Sequence, residues 1–243
     1  MLSDPLERVR LQKRLEQAQE RLAAGRLEEA HTAFESMLAD YPDHAGTLHG
    51  LGLCAVKEGR LAEGEQYLRR ALEHVQDDAG FWNDLGEVLR LTGKVAEAEK
   101  AFEQALELQP DHPQALNNLG VLLMQSEPDR ARECFLQAIG QHPEFAHPYN
   151  NLGVLMERQG RLDEALRCYE AAVVVKPDFQ DALENYRDLL QRQPDLMKSS
   201  LERLVKLAEA QIQQADMADA GAGKKGVAAE SSTASLKFFS QPS

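Results

Sequence analysis

The residues of this 243-residue chain that could do chemistry are few. Its three cysteines, Cys54, Cys134 and Cys168, form no paired-cysteine metal signature, and its histidines include no His-Glu-x-x-His pair. No phosphate-binding glycine loop and no Gly-x-Ser-x-Gly nucleophile elbow occur. The expectation is therefore no catalytic residue, no metal, no cofactor and no enzymatic activity. What does recur is a pair of short polar side chains ahead of Leu-Gly: Asn83-Asp84, Asn117-Asn118 and Asn150-Asn151. A carboxamide both donates and accepts, so a row of them can pair with the carbonyl and N–H groups of an extended peptide without demanding a particular side chain. The same amides could instead bridge adjacent helices, and both readings stay open at this point.

The elements that must position these amides come from a repeat. The fragment Gly-Arg/Lys-Leu/Val-x-Glu-Ala/Gly begins at Gly25, Gly59, Gly93 and Gly160, with gaps of 34, 34 and 67 residues. A period in the mid-thirties marks units that cannot bury their apolar faces alone and must stack on neighbours. Aligned on that fragment, a small column reads Ala18, Gly52, Gly86, Gly120, Gly153, and an aromatic or large column reads Phe34, Leu68, Phe102, Phe135, Tyr169. Steps of three and four, as in Leu116, Leu119 and Leu123, predict two helices per unit. Each recurring glycine falls where the first helix must stop. Small columns predict close helix crossings, with the aromatic column beside them. Trp82 shares a column with Leu48, Leu116 and Tyr149 and is expected to be buried between the helices of its unit. The fourth unit has Gln125-Ser-Glu-Pro-Asp-Arg in place of the glycine, with Ser126 expected as the helix cap and Pro128 in the first turn. The cysteines read as small apolar fillers, and His44, His112 and His142 as surface polar residues of the inter-unit turns.

These columns are similar to those of the tetratricopeptide repeat, whose pattern of small, large apolar and small residues occurs five times over about residues 11 to 178, four of the units ending on the family's proline, at Pro42, Pro110, Pro143 and Pro177, and the second on Gln76. The resemblance implies an all-α, right-handed superhelical solenoid. Five repeats are expected at 11–44, 45–78, 79–112, 113–145 and 146–179. An N-terminal helix extension over 1–10, capping helices over 180–215 and a disordered tail over 216–243 complete the layout. In that family the first helix of each unit lines the inner wall, which implies that Asn83, Asp84, Asn117, Asn118, Asn150 and Asn151 face the groove. Val121, Met124, His147 and Val154 would join them as peptide-binding residues. The Asn-Asn-Leu-Gly units further resemble the repeats of O-linked N-acetylglucosamine transferases, where an asparagine ladder binds the backbone of substrate peptides. On that likeness Asn118 and Asn151 take the ladder role, Asp84 departs from it, and Gly50 and Glu16 break it. The family's other mode, a cationic clamp on an acidic tail, lacks its cations here, Arg90 excepted.

Formal net charge is −13. Such a field repels phosphate backbones and anionic lipid headgroups, so a protein or peptide partner, basic or neutral, is expected rather than nucleic acid or membrane. An odd number of scattered cysteines and an N-terminus without an apolar leader suit the cytoplasm. The function expected is a non-catalytic interaction scaffold that binds an extended peptide. Two alternatives are a cytoplasmic chaperone or assembly factor for a basic or apolar client, and a detached substrate-targeting module for a glycosyltransferase.

Overall fold

The recurring glycines close helices as the sequence predicts. In the computed structural model, which describes residues 5–198, 200, 201 and 203, Gly25, Gly59, Gly93 and Gly160 take φ of 73°, 80°, 76° and 75°. Glycine adopts this left-handed conformation without a Cβ penalty. Around it the chain bonds back on itself, as in Gly93 N–H to Arg90 O and Lys94 N–H to Leu89 O at 3.1 and 2.8 Å. The next residue, Arg26, Arg60, Lys94 or Arg161, is already the N-cap of the following helix and offers no side-chain capping bond. Arg26, Arg60 and Arg161 instead pair with Glu29, Glu63 and Glu164 at 3.2, 2.8 and 2.7 Å. A glutamate in the first turn also suits the helix dipole. Glycine, cation and glutamate thus recur together because one turn uses all three.

The described residues form the helices α1 (Pro5–Ala23), α2 (Leu27–Asp40), α3 (Ala45–Lys57), α4 (Leu61–His74), α5 (Ala79–Leu91), α6 (Val95–Leu108), α7 (Pro113–Leu123), α8 (Pro128–Gln141), α9 (Ala146–Arg158), α10 (Leu162–Val175) and α11 (Gln180–Arg192), with further helical residues from 195 on. The chain divides into two units at Leu123/Met124. In the first, α1 to α7 pack each on the next; in the second, α8 to α11 do the same. The expected disordered tail over 216–243 and the later part of the expected capping region lie outside the described residues.

Packing inside each helix pair follows the two columns. A Cβ built on Gly86 would lie 2.6 Å from Phe102 Cε1, one on Gly153 2.5 Å from Tyr169 Cε1, and one on Gly52 2.8 Å from Leu68 Cγ. The glycines are the space these side chains occupy, and Phe34, Leu68, Phe102, Phe135 and Tyr169 are fully buried. Burial of a ring of this size contributes roughly 2–3 kcal/mol. Cys54 and Cys168 are buried in the same layers, which pushes their thiols up to about 11 and about 12, so they remain uncharged fillers.

Two local expectations need correction. Leu48, Leu116 and Tyr149 are buried, but Trp82 is only half-buried. Its ring packs on Ala79, Ala105 and Ala115, and its Nε1 donates to Gln76 O at 2.8 Å. An indole N–H requires an acceptor, and the turn carbonyl is the one in reach; Tyr149 reaches Pro143 O in the same way at 3.3 Å. The cap of α8 is Glu127, not Ser126. Pro128 takes the first helical position, where its missing N–H costs nothing, and that fixes the cap one residue before it.

Candidate functional site

Within the first unit α3 packs laterally on α1 and α5, and α5 on α7; within the second, α9 packs on α11. Among the described residues the even-numbered helices make no comparable lateral contacts. Closer lateral spacing puts the odd-numbered helices on the inner side of each unit, and the amide pairs lie on these helices.

The amides form an ordered chain rather than an independent set of prongs. In the first unit His49 Nε2 lies 2.7 Å from Asp84 Oδ2, and Asn83 Nδ2 donates to Asp84 Oδ1 at 3.1 Å. Asn118 Nδ2 donates to Asn83 Oδ1 at 3.1 Å, and Asn117 Nδ2 to Asn118 Oδ1 at 3.3 Å. In the second unit Asn185 Nδ2 donates to Asn150 Oδ1 at 3.0 Å. Each inter-helix bond joins residues 35 apart, one repeat and one position on. Asn83, Asn117 and Asn150, expected at the groove surface, are accordingly buried, at 6%, 8% and 6% exposure. They stand behind Asp84, Asn118 and Asn151, which are half-buried.

Gly50 interrupts the row for a packing reason. A Cβ there would lie 2.4 Å from Phe34 Cε1 and Cζ, so the Phe34 ring occupies the space a side chain at this position would need. The apolar candidates Val121, Met124 and Val154 are half-buried. His147 is exposed at the start of α9 with Phe145 and Phe179 ring centroids at 5.0 and 4.8 Å. Desolvation and the Lys176 ammonium lower its pKa. Arg90 is closed off as a cation, since Glu87 takes it in a two-pronged bond at 2.8 Å on each arm.

Sequence reasoning missed several members of this face. Asn185 continues the ladder on α11, and its 35-residue offset from Asn150 was the available signal. Val154, Glu157, Asn185, Asp188 and Arg192 border a cavity of about 300 Å³ in the second unit. There Glu157 accepts from Tyr169 Oη at 2.9 Å and from Arg192 at 2.6 Å. Burial and that carboxylate raise the Tyr169 phenol, keeping it a donor. His44 and His112 are helix caps rather than surface polar residues: their Nδ1 atoms accept from Thr47 N–H and Ala115 N–H, each at 3.2 Å. Burial lowers both pKa values, against the nearby Asp84, Asp78 and Asp111 in the case of His112. No group of three His, Cys, Asp or Glu among the described residues is placed to hold a metal ion, and no helix among them is long and apolar enough to cross a membrane.

Helix pairs closed by left-handed glycines, with small residues facing aromatic ones and a polar row on the first helix of each pair, define a class of helical-repeat interaction proteins. The chain belongs to the tetratricopeptide repeat family: profiles of that repeat match residues 21–85, 77–144 and 122–178, together more than half of the sequence. No curated protein matches it significantly. Among solved structures it is similar to a thermophilic tetratricopeptide repeat protein of Thermus thermophilus, with 23% identity and a TM-score of 0.65 over 74% of this chain and 99% of that one. YrrB, a tetratricopeptide repeat protein with an unusual peptide-binding site, is 22% identical with a TM-score of 0.54 over 72% and 90%. The O-GlcNAc transferase of Thermobaculum terrenum is 26% identical with a TM-score of 0.54 over 58% of this chain but only 28% of its own. These likenesses establish the all-α solenoid fold class and the relation to transferase-type repeats, and the fold is that of protein-interaction scaffolds.

Proposed function

We propose that this chain is a non-catalytic scaffold whose inner helix faces hold an extended segment of a partner protein. The observation that carries the reading is the amide row, with half-buried Asn118 and Asn151 each followed one turn on by a half-buried valine, Val121 and Val154. Beyond its two bonds Asn118 has one N–H and one acceptor lone pair left, enough to pair with a main chain while Val121 grips an apolar side chain. Met124 and His147 extend the same mixture of apolar grip and polar orientation. Asn83, Asn117 and Asn150 support it from behind, and Asp84 stands in the half-buried row beside Asn118. Three free thiols suit a reducing compartment such as the cytoplasm, and the net charge of −13 favours a neutral or basic partner over nucleic acid or an anionic membrane.

The test is enrichment of a random-sequence peptide library on the purified chain. Replacing Asn118 and Asn151 together with Ala is expected to reduce enrichment about tenfold with the chain still folded at the assay temperature, its thermal midpoint lowered because buried Asn83 loses the donor that Asn118 supplies. Identical peptide profiles from wild type and variant would remove the reading. Added salt separates it from a chaperone for a basic client, since a segment held by the general acidic field releases as ionic strength rises and an amide-held main chain does so less. The likeness to a transferase's repeats favours one refinement, a targeting module that presents substrates to a separate glycosyltransferase. Co-expression with and without such an enzyme, reading glycosylation of the captured partner, tests it.

A further inference from the structure

We propose that Asp84 is a positioning residue that orients the amide row of the first unit, so that this face reads a peptide main chain in one direction only. The inference rests on the peptide-binding reading above and adds a polarity to it. An isolated carboxamide row has two equivalent senses, because turning every amide over exchanges donors and acceptors at no cost. An ionised carboxylate removes that freedom, since it only accepts. Both Asp84 oxygens are occupied, Oδ2 by His49 Nε2 at 2.7 Å and Oδ1 by Asn83 Nδ2 at 3.1 Å. Asn83 must therefore turn its N–H₂ toward Asp84 and its Oδ1 toward Asn118, which answers with Nδ2 and in turn presents Oδ1 to Asn117. His49 is held for its part by stacking on Phe81, with ring centroids 4.1 Å apart and planes 12° from parallel. In the second unit the bond between Asn185 and Asn150 runs in the same sense, with the later residue donating to the earlier.

The consequence for recognition is specific. With the sense of Asn118 fixed by Asn83, the N–H and the lone pair it keeps beyond the row are fixed in their order as well, so a peptide main chain running one way meets donor and acceptor in turn and one running the other way does not. Asp84 itself, with both oxygens engaged, acts through Asn118 rather than as a seat for a cation. This also accounts for a carboxylate at the ladder position directly before the two repeats that carry Asn118 and Asn151 there.

The experiment follows the side-chain amides of the full chain by ¹⁵N NMR. In Asp84→Asn, a near-isosteric change, exchange of the Asn118 and Asn117 side-chain N–H protons is expected to quicken about tenfold, with backbone signals of α5 and α7 in place. Asn118 signals and exchange rates unchanged from wild type would overturn the proposal. Should that variant fail to fold, acid titration of the folded wild type supplies the measurement: the Asn118 side-chain shift must follow protonation of the Asp84 carboxyl, and an Asn118 signal indifferent to it is equally fatal. Direction is read with a random-sequence peptide pool carrying a nitroxide at its N-terminus, then at its C-terminus. Broadening confined to opposite ends of the row in the two cases supports one direction, and equal broadening from both overturns it. If no peptide binds while the Asp84→Asn effect on Asn118 persists, the peptide-binding reading fails and the orienting role of Asp84 stands apart from it.

Discussion

A single missing methyl group decides much of the packing here. Gly86 and Gly153 lie against Phe102 and Tyr169, neither of which has any exposed surface to retreat into. Substituting Ala at either is expected to cost about 1–3 kcal/mol, measured from the urea midpoint. Gly140, in the last turn of α8 with nothing within 4 Å of a built Cβ, serves as the contrast; Ala there should gain about 0.5–1 kcal/mol. Charge obeys the same logic of occupied space. Glu170 has a side chain 1% exposed and accepts both arms of Arg203 at 3.1 Å. Arg203→Ala leaves that carboxylate buried and unpaired, and unfolding titrations should register a loss of about 3–5 kcal/mol. Replacing both residues with apolar ones of similar volume should recover most of it.

Helix ends carry the pH response. His44 caps α3 and His112 caps the start of α7 through an unprotonated Nδ1, and burial holds both below the ordinary histidine value. A depressed folded-state pKa contributes stability that is fully present above the unfolded value near 6.5 and is lost as pH falls through the folded value. The urea midpoint should therefore drop on going from about pH 7.5 to about pH 5, each cap being worth about 1 kcal/mol. Asn is a good cap that does not titrate, so the double variant H44N/H112N should flatten that part of the profile. A pH dependence that survives the double variant intact would place its origin elsewhere. At the other end of the first helices, Gly93→Ala forces a side chain to φ of 76° and should cost about 1–2 kcal/mol, with Gly93→Asn milder by the same assay.

For the molecule as a whole, charge dominates. A net −13 repels itself, and the ion pairs between repeats, such as Glu65 with Lys94 at 2.8 Å and Arg69 with Glu97 at 2.6 Å, offset only part of that. Raising NaCl from low ionic strength to about 0.15 M, where the screening length is about 8 Å, should raise the urea midpoint. A fall on adding salt would mean that attraction between pairs outweighs general repulsion. The division into two units falls at Leu123/Met124, beside the turn that lacks the left-handed glycine.

Helix count, pairing and the small-against-aromatic columns were legible in the sequence because each rests on local rules repeated several times. A glycine at four of the five stops, apolar residues every three or four positions and a proline after the second helix in four of the five units say the same thing repeatedly. The amide columns were legible as columns too, with Asn83, Asn117 and Asn150 beside Asp84, Asn118 and Asn151. Only tertiary structure decided which column is buried and which half-buried, because the choice depends on bonds between residues 35 apart on neighbouring helices. Such bonds also drew in His49 and Asn185, turned Trp82 toward a turn carbonyl and made caps of two histidines, since a hydrogen bond goes to whichever partner the fold brings within about 3 Å and local pattern does not reveal that partner.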